Sequence, residues 1–241
     1  MIAEGLSDIG IVRNSNQDSF YVSDNKAMPL FILADGMGGY SGGEYASQTA
    51  VDTVVRIFKE NYKNIEKDTD VINLIEESIN KSNSSIHSKS LNEENLKGMG
   101  TTLIVLYIFA GHLYIGHVGD SRLYYIDDSI TQLTDDHSLV NELIKNGEIS
   151  KEEARNHPQK NLITRAVGTN YIVKPDILRY NYTPNDYVLI CSDGLINMVG
   201  EEEIYKIIKN NKNLKNINKL LIEKANENGG KDNITTIVIK L

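Results

Sequence analysis

The chain has 241 residues, 33 acidic and 25 basic, for a net charge of −8, with 40% apolar and 24% charged side chains. Those fractions suit a soluble globular protein large enough to bury its own core without a disulfide or structural metal. The acidic balance argues against a general nucleic-acid binder, no apolar run nears the roughly 18 residues that span a bilayer, and the start Met1–Gly5 lacks signal-peptide order. A single cysteine, Cys191, fits a reducing compartment. The expectation is therefore a cytoplasmic protein with neither a nucleic-acid nor a membrane partner.

In chain order, Phe20–Val22 is a short β-prone run, and Leu30–Ala34 is a continuous apolar run stopped by Asp35-Gly36, as for a strand buried on both faces. Two helices follow. One carries Ala46, Ala50, Val51, Val54, Val55 and Phe58 at helical steps; the other carries Val71, Leu74, Ile75, Ile79 and Ile86, with Asp68 or Thr69 as its expected cap. Strands return over Thr101–Phe109, broken by Ala110-Gly111, and over His112–Val118. Leu123–Ile126 and Ile130–Leu133 form another strand–turn–strand pattern, and the polar stretch from Thr134 to Thr164 is helical in part around Leu139, Leu143 and Ile144. Tyr187–Cys191 is a strand stopped by Ser192-Asp193-Gly194. Amphipathic helices carrying Ile204, Ile207 and Ile208, then Ile217, Leu220 and Leu221, lead to a last strand, Ile234–Ile239. Only four prolines occur, and no linker or tandem repeat interrupts the chain, so 1–241 reads as one domain. Segregated runs of strands and helices argue α+β: two packed sheets with a helix pair outside each.

One arrangement recurs. Asp35, Asp120, Asp193 and Asp232 each stand where an apolar strand meets a small-residue turn. One Asp-Gly is ordinary turn chemistry. Four carboxylates brought together from strand ends repel one another unless cations lie between them, and hard oxygen ligands suit Mg²⁺ or Mn²⁺.

Six segments then carry a resemblance: Arg13-Asn14-Ser15-Asn16-Gln17-Asp18, Asp35-Gly36-Met37-Gly38-Gly39, Gly98-Met99-Gly100-Thr101-Thr102, Gly119-Asp120-Ser121-Arg122, Ser192-Asp193-Gly194 and Gly230-Lys231-Asp232-Asn233. In order and spacing they resemble the metal-dependent Ser/Thr protein phosphatases of the protein phosphatase 2C type, bacterial branch, from Gly5 to Leu241. The resemblance implies a four-layer α-β-β-α sandwich of two antiparallel sheets flanked by helix pairs. It implies phosphoserine and phosphothreonine hydrolysis by a water bridging two tightly bound Mn²⁺ or Mg²⁺ ions, in opposition to a Ser/Thr protein kinase. By motif position, Asp35 bridges both metals, the Gly36 carbonyl binds one, Asp193 and Asp232 bind the other, and Asp18 orders metal-bound water. Asp120, with Asp193, matches a third, weaker metal site. Arg13 holds the substrate phosphate, which a guanidinium grips with paired donors.

Other residues invite different chemistry. Cys191 is not a cysteine-phosphatase nucleophile, because the position six residues on is Asn197 rather than Arg, and it reads as a buried core thiol. His117 reads as a satisfied or half-exposed strand histidine rather than a ligand, with His112 on the opposite face. His157 lies in the polar stretch resembling the family's flap, where it is a candidate for substrate handling. Met37 stands where eukaryotic relatives often place a histidine, so the leaving group's proton must come from elsewhere, such as a water on the third metal. The glycine pairs at 38–39 and 42–43 lack the Gly-Lys-Ser/Thr of a nucleotide loop. Two rivals stay open: a non-catalytic relative acting as a binding module, and a two-metal phosphodiesterase or nuclease.

Overall fold

The computed structural model describes residues 1–155 and 157–241. Two antiparallel sheets lie face to face. The first runs in the order β1 (Ile2–Asp8), β11 (Ile234–Lys240), β10 (Tyr187–Cys191), β7 (Arg122–Ile126) and β8 (Ile130–Gln132). The second runs β2 (Asp18–Val22), β3 (Leu30–Met37), β5 (Leu103–Phe109), β6 (His112–Val118) and β9 (Asp176–Asn181), with the short β4 (Gly100–Thr101) beside the end of β3. Helices α1 (Gly39–Asn61) and α2 (Asp68–Asn92) cover the second sheet. Helices α6 (Glu201–Asn210) and α7 (Leu214–Glu227) cover the first. Between β8 and β9 lie α3 (Leu139–Lys145) and α4 (Lys151–Arg155), and α5 (Asp193–Ile196) is a single turn after β10. The expected four-layer α+β sandwich is the fold observed.

Strand periodicity explains the layers. Alternate residues of β3 divide: Leu30, Ile32 and Ala34 pack under α1 and α2, whereas Phe31 and Leu33 enter the layer between the sheets. Val188 and Ile190 of β10, Ile237 and Ile239 of β11, and Leu113 and Ile115 of β6 fill the same middle layer. A strand buried on both faces has no polar residues to spare, which is why β3, β5 and β10 read as unbroken apolar runs.

Several local expectations need correction. Asp35 does not lie beyond its strand: β3 continues to Met37, with Asp35 paired in register to Asp18. The run from Thr101 is two strands, because Thr102 leaves the ladder to bind Asp35, its N–H donating to the Asp35 carbonyl at 2.8 Å. The small-residue turn at Asp193 is a single turn of helix. The cap of α2 is neither Asp68 nor Thr69: Lys67 precedes the helix, and Asp70 reaches back to accept the N–H groups of Glu66 and Lys67 at 3.0 and 3.1 Å. Strands β1 and β9 lacked a sequence signal of their own.

Candidate active site

The periodicity that fills the middle layer also builds its polar end. Two residues beyond Leu33, on the same face, comes Asp35. Two before Phe20 comes Asp18, two after Ile190 comes Ser192, and two before Ile237 comes Thr235. The core thus ends in a cleft of about 630 Å³, lined by Arg13, Asp35, Gly36, Met37, Asp120, Asp193 and Asp232, with Asn161, Leu162 and Ile163 on one wall. Except for Asp18, which stands behind this surface, every residue expected to hold metal or phosphate lies on it.

Most of these acidic residues are held from behind, through their backbone or their carboxylate. Thr102 Oγ1 accepts the Asp35 N–H at 2.9 Å, and Thr101 Oγ1 donates to the Asp35 carbonyl at 2.9 Å. Gly36 is threaded so closely between neighbouring backbone segments that a Cβ would lie 2.1 Å from the Gly43 carbonyl oxygen. Asn197 Nδ2 donates to Asp193 Oδ2 at 3.0 Å, one turn along. Asp18 Oδ2 accepts from Ser192 Oγ at 2.8 Å and Thr235 Oγ1 at 2.6 Å, while its Oδ1 is buried without a partner. Asp232 Oδ1 is held by the Asn233 N–H at 2.8 Å, and its Oδ2 pairs with Arg13 at 2.6 Å. Arg13 is half exposed, with its guanidinium reaching into the cleft mouth.

Electrostatics follow from this crowding. Burial first, then the charges of Asp18, Asp193, Asp120 and Asp232, hold the Asp35 carboxyl well above its ordinary range. Burial, then Asp120, Asp232 and Asp18, do the same to Asp193, with Arg13 opposing. Asp18 is pushed up to about 6, mainly by burial. Asp120 is also pushed up to about 6, by burial and then by Asp136. Among the described residues no three His, Cys, Asp or Glu side chains are drawn tightly around one point; Asp232 is turned onto Arg13. The donor set nevertheless fits divalent cations. Carboxylates that raise one another's pKa on one open cleft, backed by an orphaned buried oxygen, are short of positive charge, and all the donors are hard oxygens.

The sequence reading assigned no roles to several residues that hold the site. Asn233, 5% exposed, donates through Nδ2 to the carbonyls of Ile9 and Ser15 at 3.0 and 2.9 Å and accepts the Gln17 N–H at 2.9 Å. It therefore shapes the loop that presents Arg13. Ser192 and Thr235 hold Asp18, and Thr102 holds Asp35. Asn233 and Thr102 stood inside the quoted motifs, but their partners lie far away in sequence.

The histidines fall differently. His117 is neither half-exposed nor satisfied: it is fully buried, facing the middle layer, and neither ring nitrogen completes a hydrogen bond, although the Ser121 backbone lies near. Burial, then His137, pushes it down to about 3. His157 is outside the cleft lining and accepts the Gln159 N–H at Nδ1, 3.2 Å away. Cys191 is buried in the core, its thiol pushed up to about 12 by burial.

The model for the family described as Protein phosphatase 2C matches residues 12–234. The chain is 40% identical to the serine/threonine phosphatase stp of Listeria innocua over 242 aligned residues, covering 100% of this chain and 96% of that one. It is 38% identical to the solved serine/threonine phosphatase of S. agalactiae, with a TM-score of 0.91 and 100% of both chains covered. It is 34% identical to the catalytic domain of the phosphatase PstP solved with two manganese ions, with a TM-score of 0.85 and 98% and 96% of the two chains covered. Among the described residues no helix is long and apolar enough to cross a membrane.

Proposed function

The chain belongs to the protein phosphatase 2C family of serine/threonine phosphatases, and from that premise we propose that it is a cytoplasmic, metal-dependent phosphoprotein phosphatase acting as one catalytic domain over 1–241. The observation that carries the reading is the convergence of Arg13, Asp35, Asp120, Asp193 and Asp232 from five segments onto one cleft. Its substrates are proteins carrying phosphoserine or phosphothreonine, placed there by a Ser/Thr protein kinase that it opposes.

Asp35, the Gly36 carbonyl, Asp193 and Asp232 would hold two Mn²⁺ or Mg²⁺ ions, with Asp18 ordering their surroundings. Asp120, sharing Asp193, would hold a third more weakly. Bound cations supply charge neutralisation and the Lewis acidity that ionises water at neutral pH. Arg13 receives the phosphate with paired, planar donors aimed at two oxygens, and Asp232 keeps its guanidinium turned to the cleft. Asn161, Leu162 and Ile163 border the cleft on one side, where a bound peptide would meet them. Met37 carries no transferable proton, which leaves protonation of the departing hydroxyl to solvent within the cleft.

The test is phosphate release from a phosphothreonine peptide. Wild-type protein with Mn²⁺ should turn over, excess EDTA should stop it, and Asp193→Asn or Asp35→Asn should remove most activity while leaving a folded protein. Full activity of metal-stripped protein in excess chelator would overturn the reading. Cleavage of DNA or RNA under the same conditions would favour a phosphodiesterase instead.

A further inference from the structure

Apart from the cleft carboxylates, one side chain ties together several separate parts of the fold. His137, between β8 and α3, is 6% exposed. Its main-chain N–H donates to the Gly119 carbonyl at 2.8 Å, and the Gly119 N–H donates back to its ring Nδ1 at 3.0 Å. Gly119 has φ +113° and packs so closely on Thr102 that a Cβ would lie 2.6 Å from that side chain. The turn is therefore closed in on both sides, and the next residue is Asp120. Because Nδ1 accepts, the ring is neutral with its proton on Nε2. That proton faces Asp176 Oδ2, 3.1 Å away at the start of β9, and Arg165 Nη1 lies 3.0 Å from the same ring nitrogen while it donates to Asp176 Oδ1 at 2.8 Å, which links the ring through Asp176 and Arg165 to the chain just after Ile163. The His137 carbonyl accepts the Thr164 N–H at 2.8 Å, and Ser138 pairs with Ile163. The excursion 138–164, which carries Asn161, Leu162 and Ile163 to the cleft, is thus closed at its base by main-chain bonds, and the His137 ring adds a side-chain tie there through Asp176 and Arg165. The imidazole also packs on the His117 ring, tilted by 32° with ring centroids 4.7 Å apart.

We propose that His137 is a positioning residue for the reaction, its Nδ1 side fixing the Gly119–Asp120 turn and its Nε2 side, through Asp176, fixing the cleft wall at 161–163. It touches neither phosphate nor the reacting oxygen. The inference rests on reading the cleft as the phosphatase site. The two sides carry different consequences. Loss of the Nδ1 acceptor leaves the Gly119 N–H buried without a partner and lets Asp120 shift, which reads in kcat. Loss of the Asp176 link loosens the wall that meets substrate, which reads in KM.

Three variants separate these effects. His137→Ala removes both links. His137→Asn keeps an acceptor where Nδ1 stood and drops the link to Asp176. Asp176→Ala drops that link from the other side. Each is assayed with Mn²⁺ on an aryl phosphate and a phosphothreonine peptide, alongside hydrogen exchange over 139–145 and 157–163. Since a displacement of about 1 Å costs on the order of a hundredfold, His137→Ala should lower kcat roughly ten- to a hundredfold and raise peptide KM. His137→Asn should recover kcat to within about threefold of wild type while keeping the raised KM, because the acceptor alone restores the turn. Asp176→Ala should raise KM alone, and exchange should quicken in all three. A merely structural role would lower Tm in all three without this split. The proposal is overturned if His137→Ala keeps wild-type kcat and KM, or if His137→Asn loses as much kcat as His137→Ala. Should His137→Ala not fold, His137→Asn and Asp176→Ala decide it: a fall in kcat of more than about threefold in either overturns the assignment. A wild-type protein inactive on both substrates would sink the reading of the cleft instead; the exchange data would still judge the clamp, and unchanged exchange would overturn it.

Discussion

Replacing Asp18 by Asn isolates the electrostatic cost of the carboxylate cluster. Asp18 is raised from 3.8 to about 6, by burial foremost, with Thr235 and Ser192 pulling the other way and Asp232 adding to the rise. A carboxyl whose folded pKa is raised penalises the folded state wherever the unfolded chain is ionised. The penalty is complete above about 6 and disappears as pH falls below 3.8. It is on the order of 3 kcal/mol at pH 7, roughly half that at pH 5, and small at pH 4. An amide at this position keeps a carbonyl for Ser192 and Thr235 and turns an N–H donor to the side where Oδ1 has no partner. Asp18→Asn should therefore be more stable than wild type in chelator at pH 7, with a Tm higher by roughly 6–12 °C for a chain of this length. The advantage should halve by pH 5 and nearly vanish at pH 4. Saturating Mn²⁺ should narrow it too, because cations offset the same repulsion. Urea unfolding at the three pH values measures it. No gain at pH 7 in chelator, or a gain that persists undiminished at pH 4, would refute the reasoning.

Arg13→Ala should lower kcat/KM about ten- to a hundredfold, the worth of a charge-assisted hydrogen bond; steady-state kinetics on an aryl phosphate reads this, and an unchanged value removes Arg13 from the site. His117, lowered from 6.5 to about 3, contributes stability above 6.5 that drains away as pH falls toward 3. By pH 5 the loss is about 2 kcal/mol, so His117→Leu should lose that much less than wild type between pH 7 and 5 in urea titrations. Cys191, buried with its thiol pushed up to about 12, should resist iodoacetamide at neutral pH; rapid alkylation of the native protein, seen by mass spectrometry, would contradict its burial.

What the sequence disclosed depended on how a segment is buried. Strands β3 and β5 were legible because both faces are covered, leaving Leu30–Ala34 and Leu103–Ile108 continuously apolar. Strand β1 borders its sheet, with Ile2 59% and Leu6 38% exposed, and β9 reads Asp-Ile-Leu-Arg-Tyr-Asn, a mixture that an edge strand tolerates. The cleft aspartates were legible through their motifs. Their supports were not: Asn233 holds Gln17 across 216 residues, and Thr235 holds Asp18 across 217. Nor could His117 be read, since a histidine left buried without a hydrogen bond runs against ordinary satisfaction of polar groups.

The place of β11 has a consequence for biosynthesis. This strand lies between β1 and β10, pairing Ile237 with Gly5 on one side and with Ile190 on the other. A ribosome emits β1 at the outset and β10 two helices, α6 and α7, before the piece that joins them, so the first sheet stays open at its centre while the second, from β2 to β9, has all its strands made. Asp232 and Asn233 arrive with the same late segment, and Asn233 shapes the loop of Arg13. Nascent chains stalled before residue 232 would therefore carry a nearly complete second sheet and no complete cleft. Pulse-labelled, arrested chains of graded length should gain protease resistance in the second sheet first, and in the first sheet only once β11 has emerged.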